Sequence, residues 1–309
     1  MTVAEFARTS VKRAVECALI RSGSAALSRR HMRGHVLVIA YHNVIPDGLA
    51  ACGDVANHLP VGQFRAQLDE LTRTHDIIAL SDSSLKASRN SQRPRAAITF
   101  DDAYRGALRH ALPELVQRKI PATIFVAPAV LGDQGFWWDV LADSNGRGLD
   151  LAIRERALGE LEGRNERILA WANTMGRKPV PLDAIFRSAT MDELVEAAAM
   201  PGIQLGSHSW SHANLPQLDD SRLAEELMTP LLWLRECGMP FVPWIAYPYG
   251  SLDKRVSRAA AKAGYSAGLK IVGGWTNENA RGFNISRVNI PAGLSLNGFC
   301  LRASGLFCD

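Results

Sequence analysis

From residue 36 to residue 290, short apolar runs alternate with helical patterns, and that alternation leaves few folds open. The strand candidates are 36–41 (VLVIAY), 76–80 (DIIAL), 95–100 (RAAITF), 122–127 (ATIFVA), 203–206 (IQLG), 241–247 (FVPWIAY), 265–269 (YSAGL) and 285–290 (ISRVNI). Helical spacing fills the intervals at about 62–74, 104–119, 191–199, 219–237 and 252–263. Several runs are apolar at consecutive positions, so both strand faces must be covered, as in a parallel sheet flanked by helices. Strand, helix and strand in succession make βαβ units, so the expected class is α/β, with a barrel favoured over an open sheet. A hydrophobic fraction of 47% over 309 residues supplies the core and excludes wholesale disorder.

Two segments depart from this rhythm. Residues 140–190 are charged, helical in pattern, and end in Lys178-Pro179-Val180-Pro181; they read as an insertion near the substrate end of the barrel. At the N-terminus, Val3, Phe6, Ala7, Val11, Ala14, Val15, Ala18 and Leu19 recur at helical spacing, with Arg8, Lys12, Arg13 and Glu16 between them. A secretory segment would be continuously apolar, so this is an amphipathic helix. It makes 1–34 a helical extension on a main domain of 35–309. Packing on the domain is favoured for it because its apolar face is small and Ala-rich; the other reading is a membrane-surface helix. No run of about 18 apolar residues crosses a bilayer. Cysteines at 17, 52, 237, 300 and 308 are odd in number and form no CxxC, which argues against a disulfide scaffold and for a reducing compartment. A net charge of +4 with no late basic cluster gives no reason to expect nucleic acid. The expected location is cytoplasmic; the alternative reading of the N-terminal helix adds peripheral contact at the inner membrane face.

Three segments carry chemistry. Ile98-Thr99-Phe100-Asp101-Asp102 ends an apolar strand in two carboxylates, at the face where barrel enzymes work. One Asp there could merely cap the next helix; two point to function. In Gly206-Ser207-His208-Ser209-Trp210-Ser211-His212 the histidines are four apart, and a helical segment would place both on one face for a shared metal. Two His and one Asp with room for water form an open site of the kind that activates water. Ile245-Ala246-Tyr247-Pro248-Tyr249-Gly250 runs a strand into a Pro turn, by itself an ordinary strand end.

Together these segments resemble the polysaccharide deacetylase family, the NodB-homology carbohydrate esterases. ITFDD resembles its first motif, SHSWSH its metal-binding second and AYPYG its third, in the same order, over roughly 36–290. Tyr41-His42-Asn43-Val44, Phe136-Trp137-Trp138-Asp139 and Ala263-Gly264-Tyr265 resemble a subgroup with a leading YH segment. The resemblance implies a distorted (β/α)7 TIM-like barrel, one divalent metal and hydrolysis of an N-acetyl group on an amino sugar. The carbohydrate would be an oligo- or polysaccharide or a lipid-linked glycan. Asp102, His208 and His212 match the metal ligands, Asp101 the general base, and the backbone N–H of Tyr249 an oxyanion donor. Zinc is implied, and cobalt, nickel or iron(II) would fit the same ligands. The alternatives are the same site acting on a non-sugar amide or cyclic imide, or an inactive metal- or carbohydrate-binding homologue.

The sequence also departs from the family pattern. Ala103 stands where Gly is usual, which is tolerable unless that position needs a positive φ. Ala246 stands where an Arg commonly orients the base; Arg105 and Arg287 are the candidates to replace it. The late Leu-x-His motif is missing and no histidine follows His212. His42 ends the run VLVIAYH, the place to which the acid motif is permuted in relatives with the leading YH, so His42 is the candidate general acid. Trp137, Trp138, Trp210, Tyr249 and Trp275 are aromatic residues on or near strand-end loops, suited to sugar rings or to core packing.

Overall fold

The computed structural model describes residues 3–81, 92–142, 149–271, 274–276 and 282–307, with side chains from residue 7. Cys308, positions 143–148 of the expected insertion, and the side chains of Val3 and Phe6 lie outside the described residues. Two helices lead, α1 (Val3–Arg21) and α2 (Ser24–His31). They are followed by β1 (Val36–Tyr41), β2 (Asn43–Ile45), β3 (His58–Pro60), α3 (Val61–Thr74), β4 (Asp76–Ile77) and β5 (Arg95–Phe100). A π-helical turn, Ala107–Ala111, leads into α4 (Leu112–Gln117), and β6 (Ala122–Val126) comes next. Beyond β6 lie α5 (Trp137–Val140), α6 (Leu151–Leu158) and α7 (Asn165–Thr174). The rest is α8 (Met191–Ala198), β7 (Ile203–Ser207), α9 (Asp220–Glu236), β8 (Phe241–Ala246), α10 (Lys254–Ala263), β9 (Ala267–Lys270), β10 (Ile285–Ser286), β11 (Val288–Asn289) and α11 (Leu296–Arg302).

The main sheet runs β10-β9-β8-β7-β6-β5-β1-β11, every pair parallel, with β4 added beside β5. β10 and β11 are two halves of one segment broken at Arg287, so the two ends of the order meet and the barrel closes through that segment. Arg287 N–H donates to Lys270 O at 3.0 Å on one side, and Ile290 N–H to Ala40 O at 3.1 Å on the other. This is the distorted (β/α)7 barrel expected from the sequence.

Alternation along the strands builds two layers. Val36 and Val38, Ala97, Phe125, Trp244 and Leu269 form a core inside the barrel. Leu37, Ile39, Ile98 and Phe100 face outward into the larger core under the helices. Gly206 on β7 shows how tight the interior is: a Cβ there would lie 2.5 Å from the Phe125 ring. Helix starts follow ordinary capping chemistry. Thr190 and Glu193 form a capping box on α8, and Asp219 and Asp253 cap α9 and α10.

Candidate active site

The inward phase of the strands delivers the site. His42 follows β1, Asp101 and Asp102 follow β5, His208 follows β7 and Tyr249 follows β8, so all five leave the C-terminal ends of parallel strands. They line one cavity of about 180 Å³, with Trp137, Trp138, Asn289 and, at its rim, Asp54 and Arg154. The sequence-derived residues therefore converge, including the early His42.

Sharp turns make the convergence possible. Asp102, Ala103, Ser209, His212 and Tyr249 have φ of +68°, +49°, +62°, +59° and +58°. They are five of the eight non-glycine residues with positive φ among those described, and such conformations collect where function holds them. Residues 208–212 are not helical, so the two histidines are not brought together by a shared helix face. The left-handed residues Ser209 and His212 fold the loop so that the two imidazoles meet, with ring centroids 4.7 Å apart. Ala103 is the position that needs a positive φ, so its methyl group sits under strain.

Asp102 Oδ1 lies 3.1 Å from His212 Nε2 and 3.5 Å from His208 Nε2. His208 Nδ1 donates to the Ala246 carbonyl at 2.7 Å, which leaves the Nε2 lone pair facing the carboxylate. Burial pushes His208 down to about 4, so it is neutral at neutral pH. Asp102 Oδ1 is buried and makes no hydrogen bond of its own. Three ligand atoms within 4.8 Å of one another, one an orphaned carboxylate oxygen and two imidazole nitrogens, fit a divalent cation. The rings of Trp138 and Tyr249 pack on His212 at 5.0 and 4.6 Å.

Arg287 holds Asp101. Its Nη1 and Nη2 donate to Oδ1 and Oδ2 at 2.7 Å each, Nη1 also reaches Thr99 Oγ1 at 3.2 Å, and the guanidinium lies 5.5 Å from the Phe125 ring centre. Burial works against ionisation of Asp101, and Arg287 outweighs it, holding the carboxyl below the usual carboxylate range. Arg105, the other candidate, pairs with Asp133 and Glu193 instead.

The aromatic residues divide. Trp137, Trp138 and Tyr249 line the cavity, and Trp137 Nε1 donates to Tyr249 Oη at 3.1 Å. Trp275 is at the opposite end, beside His75 and next to Thr276, which bridges to Val36 at the start of β1. Residues of the 140–190 stretch lie at the site: Tyr249 Oη donates to Gly163 O at 2.9 Å, and Arg154 comes from α6. Sequence reasoning missed a buried network behind the Asp-His-His set. Asp139 accepts from Tyr104 Oη at 2.6 Å and from the Asp54 N–H at 2.9 Å, and faces His58 Nε2 at 3.3 Å. Trp138 Nε1 donates to Tyr104 Oη at 2.8 Å. The available signal was Asp139 itself, an acid within an aromatic run.

A family model described as polysaccharide deacetylase matches residues 88–268. No curated protein matches the chain by sequence. Among solved structures, IcaB from Ammonifex degensii is similar at 18% identity and a TM-score of 0.59, over 88% of this chain and 97% of that one. The deacetylase PplD of Streptococcus pyogenes, solved with acetate, is similar at 16% and 0.57, over 85% and 96%. A polysaccharide deacetylase from Bacillus cereus is similar at 17% and 0.57, over 87% and 68%. At these identities the likeness is one of fold.

Proposed function

The chain belongs to the polysaccharide deacetylase family, hydrolases of N-acetyl sugar amides, and we propose that it removes acetyl groups from an amino sugar by metal-assisted attack of water. The observation that carries this reading is the pairing of a base fixed by Arg287 with an adjacent Asp-His-His set in one strand-end cavity. Asp102, His208 and His212 would hold the cation, which when bound supplies a Lewis acid for the water and the acetamide carbonyl. Zinc suits the donor set.

The remaining work falls to the chain. Asp101, both of whose oxygens are oriented by Arg287, accepts a proton from the attacking water. The Tyr249 N–H donates to the carbonyl oxygen as it gains negative charge. His42, on the strand beside Asp101, gives a proton to the sugar nitrogen as the C–N bond breaks, so that acetate and a free amine leave. Arg154 and Asp54, 3.5 Å apart at the rim, offer a donor and an acceptor to sugar hydroxyls. A cavity this small suits one acetamido group and its ring, with the rest of the glycan outside.

The test is acetate release from N-acetylglucosamine oligosaccharides, before and after chelation and zinc restoration. Activity should vanish with the chelator and return with zinc. Asp101→Asn should keep the metal and lose turnover, and His42→Gln should do the same. Turnover of an aryl acetate or a cyclic imide, with none of any sugar, would replace the proposed substrate class. Undiminished sugar turnover in the Asp101 variant would sink the mechanism.

A further inference from the structure

Five apolar residues of α1 are exposed, on the side opposite its buried Glu16. At about 3.6 residues per turn, Ala7, Val11, Ala14, Val15 and Ala18 fall on one stripe. All five are exposed, Val11 at 64% and Val15 at 49%. The barrel-facing side instead buries Glu16, whose carboxylate accepts from Ser295 Oγ at the start of α11. A helix built only to cover the barrel would turn the other way, with the stripe inward and the acid in water. Phe307, itself exposed, shares a surface hollow of about 380 Å³ with Lys12, Val15 and Arg302.

Charge identifies what covers this face. Exposed Arg8 and Lys12 edge the stripe on one side and exposed Arg21 on the other. Residues 1–35 hold seven Lys and Arg against two Glu, an excess of five in a chain whose total is +4, so the remainder is net −1. A second copy docking through the same stripe would set these cations against one another. A nucleic acid would meet the cations and leave the stripe in water. An anionic bilayer satisfies both. No described helix is long and apolar enough to cross one, so the contact is with its surface.

We propose that the outward face of α1 docks on an anionic phospholipid bilayer, its stripe at the acyl boundary and Arg8, Lys12 and Arg21 against lipid phosphates. The proposal does not depend on the deacetylase reading. Its test is co-sedimentation of the full chain with vesicles of phosphatidylglycerol and phosphatidylcholine, against phosphatidylcholine alone. The wild type should bind the anionic vesicles, release in high salt, and ignore the neutral ones. Each cation near an anionic leaflet is worth about fivefold in partitioning, so Arg8→Gln with Lys12→Gln should weaken binding about 25-fold. Val11→Glu with Val15→Glu should abolish it. All four side chains are exposed and outside the active site, so circular dichroism and acetate release on a soluble substrate should stay unchanged in both variants. Failure of the wild type to bind, equal binding to neutral vesicles, or insensitivity to both pairs would overturn the proposal. A lipid-free dimer dispersed by the Val11 and Val15 changes would overturn it too, by assigning the stripe to a second copy.

Discussion

Asp101 keeps its charge in a fully buried place because one arginine faces it with both terminal nitrogens. Arg287→Lys keeps the positive charge but cannot reproduce two parallel hydrogen bonds. Its expected effect is a fall in kcat of about 10- to 100-fold with KM little changed, since the base is misaimed while the sugar contacts remain. Arg287→Met leaves a buried carboxylate alone and should cost about 3–5 kcal/mol in urea unfolding. Equal kinetics for the lysine variant and the wild type would show that the fork does not aim the base. At Ala103 two small effects oppose each other. Glycine would relieve a left-handed strain of about 1–2 kcal/mol, and would lose a buried methyl worth about 0.8 kcal/mol plus backbone entropy. Ala103→Gly should therefore unfold within about 1 kcal/mol of the wild type. The branched Ala103→Val should be clearly destabilised, because φ stays positive. At the rim, Arg154→Ala should raise KM on oligosaccharides several-fold and leave kcat on an aryl acetate unchanged, as expected of a group that touches only the sugar.

Short elements do much of the positioning here. α5 is a single turn, yet it carries Trp137, Trp138 and Asp139, all buried. Asp139 ties it to Tyr104, Asp54 and His58, and Trp138 bears on the His212 ring. Both Asp139 oxygens accept hydrogen bonds, so the amide of Asp139→Asn would turn an N–H toward a donor. That should cost about 1–3 kcal/mol of stability and weaken zinc binding about tenfold or more, read by competition with a chelating dye. Unchanged zinc affinity in a destabilised variant would confine the network to folding. The same scale explains what the sequence revealed. β1, β5 and β6 were legible because buried parallel strands are runs of apolar residues. β2 and β3, three residues each, are too short to show a period, and the seven-residue α11 has a Gly and an Asn in its first turns. His208 and His212 were legible as spacing, but not the left-handed turns that bring them together. Arg287 was one of two arginines open for the role of orienting the base; its partner is 186 positions away, and only barrel closure joins them.

At the scale of the whole molecule, the base of the barrel gathers distant parts of the chain. Thr276 bridges to Val36, Trp275 Nε1 donates to Arg302 O at 3.3 Å, and Ser28 on α2 donates to Ser304 O at 2.7 Å. His75 is buried among them, its ring 5.6 Å from that of Trp275 and its Nε2 without a partner. Burial, with Arg29 and Arg93 nearby, pushes it down to about 3. In the unfolded chain a histidine titrates near about 6.5, so the folded state binds fewer protons between the two values. The stability that His75 contributes is complete above about 6.5 and is lost as pH falls toward about 3, at up to about 1.4 kcal/mol per unit. His208, held to about 4 at the other end of the barrel, loosens in an overlapping window. Removing one histidine should therefore flatten the acid limb only in part. His75→Leu keeps an apolar side chain against Trp275 and removes the titration there. It should leave stability at pH 8 nearly unchanged and shift the acid midpoint downward, followed by the fluorescence of Trp275 and its neighbours. The slope that survives belongs to His208 and the paired carboxylates. An acid midpoint identical to that of the wild type would mean that the base of the barrel opens before His75 is protonated, and that the ends of the chain, rather than this imidazole, set its resistance to acid.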